Sequence, residues 1–105
     1  MITGGDFLSE EKRSRIMPSS CVYHDNEKYA IELELPGVDK KDIEFVIAPT
    51  SFCVKAARNN TLYQGCWILC HEVIPEKAIA TFKEGLLLVS APMARQLKGV
   101  KIEIE

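Results

Sequence analysis

The chain has 105 residues, 47% of them hydrophobic and 27% charged, with a net charge of -2 and a pI near 5.7. That length suits one domain able to bury its own core, and no low-complexity tract or internal repeat interrupts it. Without a basic excess or a Lys/Arg stripe the composition excludes counterion-driven binding of nucleic acid, and no apolar run approaches the roughly 20 residues of a membrane helix. The opening "MITGGDFLSEEKRS" carries no hydrophobic signal core, so the chain reads as soluble and cytoplasmic.

In chain order, residues 1–19 form a short arm. Ser9 before "EEKRSRI" is placed to cap a helical turn, with Glu11 and Arg15 an i,i+4 charge pair and Pro18 the stop. From Ser20 onward the apolar period is 2, the signature of half-buried strands. "KYAIELEL" sets Tyr29, Ile31, Leu33 and Leu35 on one face, and Pro36-Gly37 ends it. "DIEFVIA" points Ile43, Phe45 and Ile47 inward, and "SFCVKAA" does the same with Phe52, Val54 and Ala56. The short "PTS" between them predicts a hairpin. "RNNTLYQG", Arg58 to Gly65, then reads as a connecting loop, and "GCWILCHEV" as a strand buried on both faces that ends near Pro75. "PEKA" reads as a short turn, and "AIATFKEGLLLVSA" as two strands joined at Glu84-Gly85 and closed by Pro92. Seven or eight short strands at this spacing describe an all-β fold, a two-sheet antiparallel sandwich of immunoglobulin-like type over residues 20–94.

The tail, residues 95–105, ends in "KGVKIEIE". Val100, Ile102 and Ile104 share one face and Lys101, Glu103 and Glu105 the other, so this stretch needs an apolar surface to lie on.

Chemistry-bearing residues are few. On a strand Cys66 and Cys70 lie about 13 Å apart, too far for one metal ion or one bridge. Neither Cys21 nor Cys53 has a close Cys or His at a metal spacing, and His71 faces away from Cys70. The four cysteines therefore read as buried or half-buried free thiols in a reducing compartment, and no metal or cofactor is expected. His24 beside Asp25 is half a triad on paper only, because adjacent residues do not orient each other, and no nucleophile elbow or P-loop appears. An enzyme is not expected.

Two motifs carry a resemblance. "ATFKEGLLLV" is similar to the signature of the alpha-crystallin domain of small heat-shock proteins, supplied here by Ala80, Gly85, Leu86 and Leu87. "ELPGVDKKDIEF" is similar to that family's strand ending at Pro-Gly, with Pro36 and Gly37 in those places. The resemblance spans about Ser20 to Pro92. It implies a stress-response chaperone that holds unfolded or partly folded proteins without ATP and self-associates as a dimer or larger oligomer. It also implies that Ile102 and Ile104 link subunits by docking in a groove at a neighbouring domain's edge, for which Phe45, Ile47, Ala78 and Ala80 are the candidate lining. A final strand of the chain's own sheet is the alternative for Ile102 and Ile104. The family's long strand-swapping loop has no counterpart here, and its Leu-Pro after the buried strand is replaced by "LCHEV". A docking module of the co-chaperone CS-domain type, which shares the sandwich and lacks that loop, is therefore the alternative function.

Overall fold

The period-2 stretches of the sequence become pleated strands in the computed structural model, which describes residues 13–96 and 99–105. Eight strands build two four-stranded sheets among these residues. One sheet runs in the order β1 (Ser14–Ile16), β6 (Thr61–Ile68), β5 (Ser51–Arg58), β4 (Ile43–Ala48). The other runs β2 (Ser20–His24), β3 (Lys28–Glu34), β8 (Leu86–Pro92), β7 (Ile79–Lys83). All pairs are antiparallel except β1 with β6. The expected all-β sandwich is thus present, with one parallel pair at its edge.

The core follows from alternation. Tyr29, Ile31 and Leu33 of β3, Phe52, Val54 and Ala56 of β5, and Leu87, Val89 and Ala91 of β8 all face inward and are buried. Each large member contributes about 1.5–3 kcal/mol of transfer free energy, so these three central strands hold the two layers together. Phe52 stacks on Trp67, ring centroids 4.8 Å apart, and meets Phe45 at 5.6 Å.

The two sequence motifs touch. The Leu35 N–H donates to the Gly85 carbonyl at 2.7 Å, and a Cβ at Gly85 would stand 3.3 Å from Pro36 Cα. Glu84 and Gly85 both have positive φ, 50° and 80°, as a two-residue type I′ hairpin turn requires. Gly85 therefore serves the turn and the close approach of the Pro36 backbone together.

Several expectations are corrected. The interval from Arg58 to Gly65 is no loop: β5 runs through Arg58, β6 starts at Thr61, and only Asn59-Asn60 turn between them, Asn59 with φ 39°. This register sets Cys53 directly opposite Cys66, and the two form a disulfide across a Cα separation of 4.1 Å, the close spacing of a non-hydrogen-bonded cross-strand pair. The other two cysteines, Cys21 and Cys70, are free but exposed, not buried. With two of the four thiols bridged, the cysteines no longer point to a reducing compartment.

"GCWILCHEV" is likewise not a strand buried on both faces. It ends at Ile68, and Gln64, Cys66 and Ile68 face outward, Ile68 at 84% exposure, because nothing among the described residues covers the outer face of this sheet there. The expected helical turn after Ser9 is contradicted where it can be followed: Ser14–Ile16 is a strand, pairing with Thr61–Tyr63. One i,i+4 charge pair offers only a few tenths of a kcal/mol, and the open edge of β6 offers backbone partners instead. Ser9 and Glu11 lie outside the described residues.

Candidate functional site

The site follows from how the chain changes sheets. Only Met17 to Ser19 separate β1 from β2. The four Cα steps from Ile16 to Ser20 reach about 14 Å at most, little more than the roughly 10 Å between packed sheets. The edges formed by β1 and β2 must therefore lie on the same side of the sandwich, closed by this crossing with Pro18 buried in it. The opposite edges, β4 and β7, share the other side, and no such short crossing joins them.

On that side β4 turns Ile43, Phe45 and Ile47 toward the core, each half-buried. Ala78, just before β7, and Phe82 within it turn the same way, and both pack against the same core cluster. Of the four candidate lining residues, Phe45, Ile47 and Ala78 thus sit at the mouth between the sheets, whereas Ala80 is exposed on the same face of β7. Phe82 is the residue that the sequence reading passed over. It lies two positions beyond Ala80, and the period-2 rule applied once more would have found it.

The mouth is held at its two ends. At one end the Val73 N–H donates to the Pro49 carbonyl at 2.8 Å and the Ile74 N–H to the Pro92 carbonyl at 2.9 Å, tying the segment before the Pro75–Lys77 3-10 turn to the β4–β5 turn and to β8. At the other end a 3-10 turn, Lys40–Asp42, leads into β4, with Lys41 and Asp42 paired at 3.7 Å in solvent. Such an exposed pair is worth little, so the mouth is defined by apolar side chains and strand edges, with charge only at its ends.

Two strand edges that no described residue pairs, flanking half-buried aromatic and aliphatic side chains, can accept an extended peptide. Backbone groups supply the pairing, and alternate side chains enter the cleft. The tail has the complementary pattern. Residues 99–105 form no strand, and Ile102 and Ile104 are 74% and 92% exposed. No group of three or more His, Cys, Asp or Glu that could hold a metal occurs among the described residues.

The sequence matches the CS domain family over residues 18–91. The chain belongs to the CS domain family. A relative, the 18 kDa antigen of Mycobacterium leprae (strain TN), is 24% identical over 112 residues, covering 93% of this chain and 75% of that one. The resemblance to small heat-shock proteins holds in three dimensions. Heat shock protein 16.0 from Schizosaccharomyces pombe superposes on this CS domain with TM-score 0.71 at 19% identity, over 86% of this chain and 99% of that one. A small heat-shock protein from Xylella fastidiosa gives TM-score 0.67 at 15% identity, over 88% and 99%. At these identities the likeness carries the fold. The matched CS region contains both motifs, the mouth between β4 and β7, and the disulfide-linked hairpin, and it leaves out β1 and the tail.

Proposed function

We propose that this CS domain is an ATP-independent chaperone that holds extended, non-native segments in the mouth between β4 and β7 and so limits their aggregation. The observation that carries the reading is the pair of edges, uncovered among the described residues, that flank Phe45, Ile47, Ala78 and Phe82. Unfolded chains expose apolar side chains and unpaired backbone together, and an edge-lined apolar cleft meets both needs at once. Nothing in that chemistry calls for nucleotide, metal or a nucleophile. Self-association fits the same surface, since Ile102 and Ile104 offer a second copy the pattern a client strand would have. The likeness to small heat-shock proteins supports the chaperone reading, and a cytoplasmic place would suit it.

The test is suppression of heat-induced aggregation of a model client by the full chain, without nucleotide, at near-stoichiometric ratio. Protection that is weakened by an added peptide with the Val100–Glu105 sequence is the expected result. A second reading is favoured by two observations, the CS family match and the two-residue Asn59-Asn60 turn that leaves no swapping loop. It is a non-enzymatic docking module for folded partners, and absence of any protection would favour it.

A further inference from the structure

The Cys53–Cys66 bridge stands on the outer face of the sheet formed by β1, β6, β5 and β4, away from the core. The residues beside it in the next register pair, Phe52 and Trp67, turn inward and stack, so the packing of this hairpin is carried by the opposite face. Among the described residues no apolar layer closes over the sulfurs: Cys66 and Ile68 are exposed and Cys53 is half-buried.

The two sulfurs differ in what stands behind them. A thiolate enters the antibonding orbital of the S–S bond, which points away from the leaving sulfur, so each sulfur is reached from the side remote from its partner. Behind Cys53 lies β4, whose Val46 is its register partner on the same face. Behind Cys66 lies the edge of β6. There β1 pairs with Thr61–Tyr63 and ends at Ile16, so among the described residues the edge beside Cys66 is uncovered. Two residues along the strands, about 7 Å away, Glu44, Lys55 and Gln64 form the next outward row across β4, β5 and β6. With Val46 and both cysteines they line a shallow cavity of about 260 Å³. That row sets a carboxylate, an ammonium and an amide beside the sulfurs, groups that complement those of a small zwitterionic peptide.

We propose that the Cys53–Cys66 bridge is a thiol-exchange site, opened at Cys66 by a small peptide thiol of the glutathione class. The incoming thiol gives its proton to solvent and its sulfur bonds to Cys66 Sγ as the S–S bond breaks. The electron pair of that bond leaves on Cys53 as a thiolate, which takes a proton from water. The product is a mixed disulfide at Cys66 and a thiol at Cys53, with no net oxidation or reduction. Cys53 is held opposite by the other register pairs of β5 and β6, so it reverses the step by attacking Cys66 Sγ and expelling the small thiol. A second small thiol attacking the mixed disulfide at the small thiol's own sulfur completes reduction instead, leaving as the small disulfide and freeing Cys66 as a thiolate.

The test uses the full, oxidised chain with the exposed thiols of Cys21 and Cys70 first capped by iodoacetamide. Reduced glutathione is added under native conditions, early time points are quenched with acid, and the adduct is located by peptide mass mapping. One glutathione per chain is expected, on Cys66 in at least about tenfold excess over Cys53, at a rate proportional to glutathione concentration, because access decides which sulfur is attacked. Val46→Ala, which clears the approach to Cys53, should raise the share of adduct on Cys53 and leave the rate at Cys66 unchanged. The proposal is overturned by adduct chiefly on Cys53, or by a rate independent of glutathione, which would mean that the bridge opens only when the chain unfolds. It is equally overturned if the folded chain resists glutathione that reduces the urea-unfolded chain, or if Val46→Ala leaves the distribution as it was.

Discussion

Gly85 shows how much can rest on one missing side chain. Its φ of 80° lies in the region where an L-residue costs about 1–2 kcal/mol, and any Cβ would press on the Pro36 backbone, which cannot swing aside. Gly85→Ala is therefore expected to destabilise the fold by about 2 kcal/mol, which for a domain of this size lowers Tm by about 10 °C. Thermal unfolding followed by circular dichroism decides it, and an unchanged Tm would mean that the turn relaxes at no cost. Gly37, also at positive φ, differs in kind, since its Cβ would meet only the flexible Arg58 side chain. Asp25 works by charge instead. Its pKa is lowered from 3.8, first by the Glu27 N–H and then by the Lys28 N–H. A lowered folded pKa means that the stabilisation is present above the unfolded value and is lost as pH falls through the folded one. Below about pH 4 the wild-type chain should thus lose stability that Asp25→Asn, which keeps an acceptor but cannot ionise, does not. Parallel Tm curves for the two proteins across that range would remove Asp25 as the cause.

At the scale of elements, the hairpin of β5 and β6 ties together what the sequence made legible and what it hid. Strands whose one face is buried are written plainly: Tyr29, Ile31 and Leu33, with Glu32 between the last two, or Phe52, Val54 and Ala56, with Lys55 between the last two, recur at period 2 and lie where alternation puts them. β6 breaks that rule because Cys66 and Ile68 are apolar on its outer face, so its alternation fades and it passes for a strand buried on both sides. Taking Arg58 to Gly65 for a loop then conceals the Asn59-Asn60 turn, and with it the register that brings Cys53 to Cys66. One misplaced turn thus cost both the strand boundary and the disulfide, since the bridge depends on register and not on spacing. The site was legible to the same degree. Phe45 and Ile47 follow from alternation along β4, but which edges face each other depends on the Met17–Ser19 crossing, a feature of topology that no local pattern encodes. Chain-entropy reasoning assigns a bridge closing a loop with a sequence separation of 13 about 3 kcal/mol of stabilisation. Reduction, or the double change Cys53→Ser and Cys66→Ser, is expected to lower the unfolding free energy by up to that amount in denaturant titrations. Equal curves with and without reductant would show that strand pairing alone already restrains this hairpin.

For the whole molecule the question is what covers the open side. One side of the sandwich is closed by the chain crossing between β1 and β2, while among the described residues β4 and β7 keep free edges beside half-buried Phe45, Ile47, Ala78 and Phe82. The tail presents Val100, Ile102 and Ile104 at period 2 with no strand partner. Two such surfaces in one chain are complementary, and between copies each added backbone pair and buried isoleucine favours association. We expect Ile102→Ala with Ile104→Ala to lower the solution mass, measured by light scattering over a concentration series, while circular dichroism stays that of the folded domain. The transfer free energy removed, about 1.5–3 kcal/mol for each isoleucine fully buried, would weaken each contact at least tenfold. The same change frees the mouth, so protection of a client should persist or rise as assembly falls. If mass is unchanged because the unaltered chain is already a monomer, the tail does not link copies, and the open side is left to a client or a folded partner. If instead the altered chain loses its folded spectrum, the two isoleucines belong to the domain's own packing, and the tail is part of the fold.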